Sequence, residues 1–192
     1  MEYTKEIFAK YDQKTIRVYQ AYNRTIAEEA VKLQNFGENF NFNRMTWIKP
    51  SFLWLMYRSN WATKKNQECI LALDIRREVF DALIARAVLT SPDSSLINGR
   101  EWEWQFSNTD VYCQFDPDRN MNGNPINRSA IQIGVKGTAL DMLVDGICRI
   151  EDLTKSVNKW NNIRKNKKLS LKDLPTERFY PVDIKIRKRL DM

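Results

Sequence analysis

Alternation is the first regularity along the chain. Thr15-Ile-Arg-Val-Tyr-Gln-Ala-Tyr22 puts Ile16, Val18, Gln20 and Tyr22 on one side of an extended segment, the period-two pattern of a strand. Gln20 is a polar residue on an otherwise apolar line. From Thr25 the period lengthens. Thr25-Ile-Ala-Glu28 reads as a capping box, Ile26, Ala30 and Leu33 form an inner stripe, and Gly37 suits a left-handed helix end. Arg44–Ile48 is extended, Pro50 disfavours helix at Lys49, and Ser51 can cap the helix that follows. There Phe52, Leu55, Met56 and Ser59 share one face, while Leu53, Trp54, Tyr57 and Trp61 share another. A helix apolar on most sides belongs in a core. Lys49, Ser51, Tyr57 and Arg58 along the same stretch also suit the wall of a binding cleft.

Asn60–Asn66 is polar and predicts a loop. Cys69-Ile-Leu-Ala-Leu-Asp-Ile75 is almost continuously apolar, as an internal strand should be. Glu78–Leu89 has helical spacing and is broken by Ser91-Pro-Asp93. Glu101–Phe106 and Val111–Asp116 both alternate, with Trp102, Trp104 and Phe106 on one face of the first, and together they predict a hairpin. Asp116–Arg128, rich in Asn, Asp, Pro and Gly, predicts a loop. A strand over Ala130–Val135, a helix over Thr138–Ile147 and a helix around Leu153, Val157 and Trp160 complete the pattern. Strands and helices mixed without regular βαβ alternation argue an α+β fold, in one domain at this length.

Charge divides the chain. Residues 155–192 hold 12 of its 31 Lys and Arg and 4 of its 24 Asp and Glu, so residues 1–154 carry 19 and 20 and are nearly neutral. Residues 1–154 thus read as the core, and 155–192 as a basic C-terminal helix and tail packed on it or extending from it. Such a tail suits either a solvated surface or a phosphate backbone. No apolar run reaches the length of a membrane span, and the charged N-terminus lacks a signal-peptide core. A cytoplasmic protein is expected. Cys69, Cys113 and Cys148 are odd in number, far apart and in apolar contexts, fitting buried free thiols. The absence of histidine argues against zinc and excludes His-dependent triads.

Several short patterns carry chemistry. Asp118-Arg-Asn-Met-Asn-Gly123 copies the first half of a calcium loop, but Ser129 stands where the bidentate Glu is needed. Glu101 and Glu103 could pair as acid and base, although alternation makes them a solvent face. Gln114 and Asp116, two apart at a strand end, project from one face, and Arg119 nearby can hold an anion. A strand end whose Asp caps a turn is the structural alternative.

Tyr11-Asp12, Thr15–Tyr22, Arg44-Met-Thr-Trp-Ile-Lys-Pro-Ser-Phe-Leu-Trp54, Met56-Tyr-Arg-Ser59, Gln114-Phe-Asp-Pro-Asp-Arg119, Ala130-Ile-Gln-Ile-Gly134, Ile150-Glu-Asp-Leu-Thr154 and Leu174-Pro-Thr-Glu-Arg-Phe-Tyr-Pro181 resemble the family known as domain of unknown function 4291. More distantly, the order of elements resembles the ADP-ribosyltransferase superfamily. That resemblance implies a split, mixed or antiparallel sheet with flanking helices and NAD as substrate. Val18-Tyr-Gln-Ala21 corresponds to the superfamily's first motif, with Gln20 for its Arg or His and Ala21 for its Gly. Ser51-Phe-Leu-Trp54 corresponds to the Ser-x-x-Tyr segment, with Trp54 as the ring that stacks on nicotinamide. Gln114-Phe-Asp116 corresponds to Gln-x-Glu, with Asp116 in place of the Glu. The implied catalytic set is Asp116, Gln114 and Gln20. The implied NAD-binding set is Tyr19, Tyr22, Lys49, Ser51, Trp54, Tyr57, Arg58 and Arg119, with the cations on the pyrophosphate. A nucleic-acid acceptor would meet the basic residues 155–192. The alternative is a non-catalytic nucleic-acid-binding module in which Trp47, Trp54 and Trp61 stack on bases. A partner protein using a Trp-rich surface is a third reading.

Overall fold

Strand β2 (Thr15–Tyr22) pairs antiparallel along its whole length with β4 (Cys69–Arg76), from Thr15 opposite Arg76 to Tyr22 opposite Cys69. A computed structural model describes residues 3–91 and 99–192. Strand β8 (Ile147–Asp152) lies on the other edge of β4, which makes β4 central in a three-stranded sheet. Leu71, Leu73 and Ile75 of β4 enter one apolar cluster with Ile16 and Val18. Ile70 and Ala72 enter a second cluster on the opposite face, with Tyr19, Phe52, Met56 and Val157. A strand covered on both faces needs the continuous apolar run that Cys69–Ile75 shows.

The second sheet has four strands in the order β3 (Thr46–Ile48), β7 (Pro125–Val135), β6 (Val111–Arg119) and β5 (Val88–Leu89). β5 runs parallel to β6 and the other pairs are antiparallel. The two sheets meet between β2 and β3, where the Tyr19 N–H donates to the Lys49 carbonyl at 2.8 Å. The Gln20 side chain adds two bonds across this seam, to Thr46 Oγ1 at 2.8 Å and the Trp47 carbonyl at 3.2 Å. A two-stranded ribbon of β1 (Phe8–Ala9) and β9 (Arg178–Phe179) ties the two ends of the chain together. The fold is therefore α+β with mixed and antiparallel sheets.

Helix α1 (Arg24–Leu33) is capped by Asn23, whose Oδ1 accepts the Ile26 N–H at 3.0 Å, in place of the expected Thr25. It ends at Gln34, which takes the left-handed conformation instead of Gly37. The Gln34 side chain bonds both the carbonyl and the N–H of Ile150, which explains why the helix stops there. Helix α3 (Arg77–Arg86) is shorter than its apolar spacing suggests, because Val88 and Leu89 join β6. Pro92 and Asp93 of the expected break lie outside the described residues. Helix α5 (Gly137–Asp145) takes its N-terminal acceptor from Asp110, which bonds Thr138 Oγ1 at 2.6 Å and the Ala139 N–H at 2.9 Å.

Residues 99–108 are the main departure. They form helix α4 (Gly99–Asn108) and not a strand. Trp102 and Phe106, four apart, pack at 5.1 Å between ring centroids, and the Trp102 indole donates to the Leu89 carbonyl at 2.9 Å. Trp104 is 67% exposed. Two apolar residues at i and i+4 with a third between them fit both periods in so short a window. The hairpin in this half is β6–β7, and the turn is only Asn120–Asn124, where Asn120 Oδ1 accepts the Asn122 and Asn124 N–H groups and Gly123 has φ +84°. Pro117 stays in β6 beside a register shift, a place in a sheet that tolerates a missing donor.

Helix α6 (Thr154–Lys165) covers the second cluster through Val157. Beyond it, Tyr180 is fully buried and donates to Asp81 at 2.7 Å, and helix α7 (Ile184–Arg189) leads to the buried Leu190. Cys69 and Cys113 are buried free thiols, whereas Cys148, expected to be buried as well, lies exposed on β8. Among the described residues no helix is long and apolar enough to cross a membrane.

Gly134 of β7 sits opposite Trp47. A Cβ there would come within 2.9 Å of Met45 Sδ and of the Trp47 ring. Gly134→Ala is expected to cost about 1–3 kcal/mol through overpacking, read as a lower urea midpoint with an unchanged m-value.

Candidate functional site

Helix α2 (Phe52–Ser59) is fixed by its first turn. Ser51 Oγ accepts the Trp54 N–H at 3.3 Å and donates to Asp118 Oδ1 at 2.9 Å. Asp118 is almost wholly buried and pairs with Arg128 at 2.7 Å. Glu177 reaches in from the C-terminal segment, and its Oε1 accepts the Phe52 N–H at 2.6 Å. Glu177 satisfies one orphan donor of the helix N-terminus, and Asp118 holds the Ser51 hydroxyl that caps it. The helix closes at Asn60, and Asn60, Trp61 and Ala62 are left-handed in succession. The buried Trp61, packed edge-on to Phe52 and under the Arg164 guanidinium at 4.9 Å, holds that strained turn.

Beside α2 lies a cavity of about 390 Å³. Helix α2 contributes Trp54, Leu55 and Arg58; β3 and the residue after it contribute Trp47 and Lys49; β6 and β7 contribute Gln114, Asp116 and Gln132. Gln114 and Gln132 are direct neighbours across the β6–β7 pair. Their side-chain amides both donate to Asp116, Gln114 to Oδ1 at 2.9 Å and Gln132 to Oδ2. The carboxylate is thus oriented by two neutral donors and open to the cavity. The Lys49 amine donates to the Trp47 carbonyl at 2.9 Å. Burial, with the neighbouring Arg58 charge adding to it, lowers its pKa to about 7. Asp116 and Lys49 give the cavity an acceptor and a titratable amine, and Trp47 and Trp54 give it apolar walls, the usual character of a small-molecule site.

Of the expected site residues, Lys49, Trp54, Arg58, Gln114 and Asp116 line this one cavity. Tyr57 and Arg119 lie next to it: Trp54 and Tyr57 stack at 5.5 Å, and the Arg119 guanidinium stands 4.2 Å from the Tyr57 ring and 5.8 Å from Trp54. Gln20, Ser51, Tyr19 and Tyr22 are not among the lining residues. Gln20 is spent on the seam to β3, and Ser51 on the α2–β6 junction. Tyr19 is fully buried against Phe52, and Tyr22 bonds Thr46 at 3.1 Å. Of the motif residues Gln20, Ser51, Trp54 and Asp116, only Trp54 and Asp116 line the cavity, with the other two supporting its walls from behind. Sequence reasoning missed Gln132, a polar residue in an apolar strand, although the same signal singles out Gln20. It also missed Glu177 and Arg128, which show no periodicity at all.

Trp54 is 4% and Trp61 5% exposed, so the three tryptophans form no exposed stacking platform. Asp118, the first position of the calcium-like loop, is committed to Ser51 and Arg128. Among the described residues no group of three or more His, Cys, Asp or Glu side chains is placed to hold a metal ion.

The architecture is that of an α+β protein with a polar, tryptophan-walled cavity where two sheets and α2 meet. The chain belongs to the family described as Domain of unknown function (DUF4291), whose sequence profile matches residues 6–180. No curated protein matches the chain.

Burial raises the Glu177 pKa to about 8, and the Asp118 charge adds to the effect against the opposing Phe52 N–H and Arg128. The native state therefore holds a proton that the unfolded state releases near its ordinary carboxylate value. Stability from this group falls as pH rises from about 4.5 to about 8. Glu177→Gln keeps the acceptor for Phe52 and removes the titration. Its unfolding free energy minus that of the wild type is expected to rise across that window and level off above it, as measured by urea unfolding at a series of pH values.

Proposed function

We propose that the protein is an ADP-ribosyltransferase-like enzyme that cleaves NAD at the nicotinamide–ribose bond and passes ADP-ribose to a nucleic-acid or protein acceptor. The observation that supports this most is the meeting of Trp54 and Asp116, from α2 and β6, in one cavity that also contains Lys49 and Arg58. The separation of the fold into three- and four-stranded sheets joined at β2 and β3 fits the same reading.

In this mechanism the nicotinamide ring packs against Trp54. Arg58, with Lys49 when protonated, faces the pyrophosphate, where charge-assisted bonds are strong. The C1′–N bond breaks and nicotinamide leaves as a neutral base with the bonding electron pair. Positive charge then grows on C1′ and the ring oxygen, and the Asp116 carboxylate stabilises it. The acceptor's nucleophilic atom forms the new bond to C1′ and loses its proton. Gln114 and Gln132 hold the carboxylate in place, because such sites tolerate little misplacement. Gln20 takes no direct part. Its amide fixes β3 and with it Trp47 and Lys49.

Asp116→Asn is expected to lower nicotinamide release by about 10²–10³-fold, the scale on which removing one transition-state interaction acts, with NAD affinity and melting temperature near those of the wild type. Titration calorimetry and a nicotinamide assay read the two apart. Absence of both NAD binding and nicotinamide release in the wild type would overturn the reading.

For a nucleic-acid acceptor, the excess charge after Lys155 should supply phosphate contacts. Changing Lys165, Lys167 and Lys168 to Ala is then expected to weaken single-stranded RNA binding. Its salt dependence should flatten by about 0.7 in the log–log slope for each phosphate no longer neutralised. Equal affinities and slopes would remove the tail as an acceptor site.

A further inference from the structure

Lys49 is unlike an ordinary lysine in its surroundings. It lines the cavity just after β3, where its carbonyl accepts the bond that joins the two sheets. The one hydrogen bond of its amine goes to a neutral carbonyl, that of Trp47. No carboxylate pairs with it among the described residues, although nine other ion pairs are formed. The charged groups lining the cavity are Lys49 itself, Arg58 from α2 and Asp116 from β6. A lysine amine that is desolvated and placed beside another cation is the arrangement that activates it as a nucleophile toward carbonyl compounds. Arg58 meanwhile leaves a fixed positive charge that can take the anionic end of such a compound.

We infer that Lys49 forms a reversible imine with an anionic aldehyde or ketone held in this cavity against Arg58, with Asp116 and water relaying the protons. The Nζ lone pair forms the new C–N bond to the carbonyl carbon as the C=O π pair moves to oxygen. One proton passes from nitrogen to that oxygen, giving a neutral carbinolamine. A second proton, delivered through Asp116 and water, lets the oxygen leave as water while nitrogen supplies the electrons of the C=N bond, and the resulting iminium N–H returns that proton by the same route. Amine and carbonyl thus give imine and one water, with no oxidant or reductant consumed. The reaction needs no NAD, so it stands apart from the glycosyl-transfer reading.

The test uses the full chain at pH 7 with glyoxylate as the anionic carbonyl, propionaldehyde as the neutral control and cyanoborohydride to trap any imine as a stable secondary amine. Peptide mass spectrometry follows each lysine over time. Lys49 is expected to be modified by glyoxylate about tenfold or more faster than any other lysine, because a desolvated amine beside a cation is activated as a nucleophile. Its rate should level off above about pH 7. Arg58→Ala is expected to remove most of the preference for glyoxylate over propionaldehyde while leaving Lys49 in place to be measured. Lys49→Gln, neutral and still a donor for the Trp47 carbonyl, should abolish the fast-labelled site and keep a melting temperature near that of the wild type. Labelling of Lys49 no faster than that of the surface lysines would overturn the inference, and so would a preference for glyoxylate unaffected by Arg58→Ala.

Discussion

Ser51 divides one hydroxyl between two elements, accepting from the backbone of α2 and donating to Asp118 of β6. That junction sets the geometry of everything beside it. Trp54 follows Ser51 by one helical turn, and Asp116 precedes Asp118 by one strand repeat. The Ser51–Asp118 contact brings the start of α2 against the end of β6, and Trp54 and Asp116, each a few residues along, line one cavity. The junction lasts because each buried carboxyl group in it has a partner: Asp118 has Arg128, and Glu177 has the Phe52 N–H. A buried carboxylate without such partners would be costly enough to displace the helix.

Much of this was legible in the sequence. Thr15–Tyr22, Cys69–Ile75 and Ala130–Val135 have the residue types and lengths of strands and are strands. Pro50-Ser51 ahead of a helical apolar pattern marked α2 and its cap correctly. Local signals failed where two periods coincide, as at Trp102, Trp104 and Phe106. They also failed where a cap comes from far away, as Asp110 does for α5. Asn23 caps α1 instead of Thr25 because its Oδ1 is the side-chain acceptor placed on the Ile26 N–H. The cavity was half legible. Residues on the faces of predicted elements could be placed, but which polar residue faces the cavity and which faces the seam depends on how the sheets are joined. Gln20 and Gln132 look alike in sequence, and only the pairing of β2 with β3 and of β7 with β6 gives them different tasks.

The seam between the sheets explains why a polar residue sits on the apolar line of β2. The Tyr19–Lys49 pairing supplies a single backbone bond, and the Gln20 amide supplies two further bonds to β3. A side chain thereby replaces part of a ladder that the backbone cannot continue. Because Lys49 and Trp47 border the cavity just beyond these bonds, the seam is also one wall of the site.

The ribbon of β1 and β9, with Tyr180 inserted into the core behind it, has a consequence for synthesis. Phe8 and Ala9 emerge from the ribosome long before Arg178 and Phe179, the residues they pair with. Contacts so distant in sequence form late. Until then Ile7 and Ala9, fully buried in the finished protein, have neither β9 beside them nor Tyr180 packed against the same core. The nascent chain must carry an uncovered apolar edge through most of its translation, the kind of surface that chaperones shield and that aggregates when they do not.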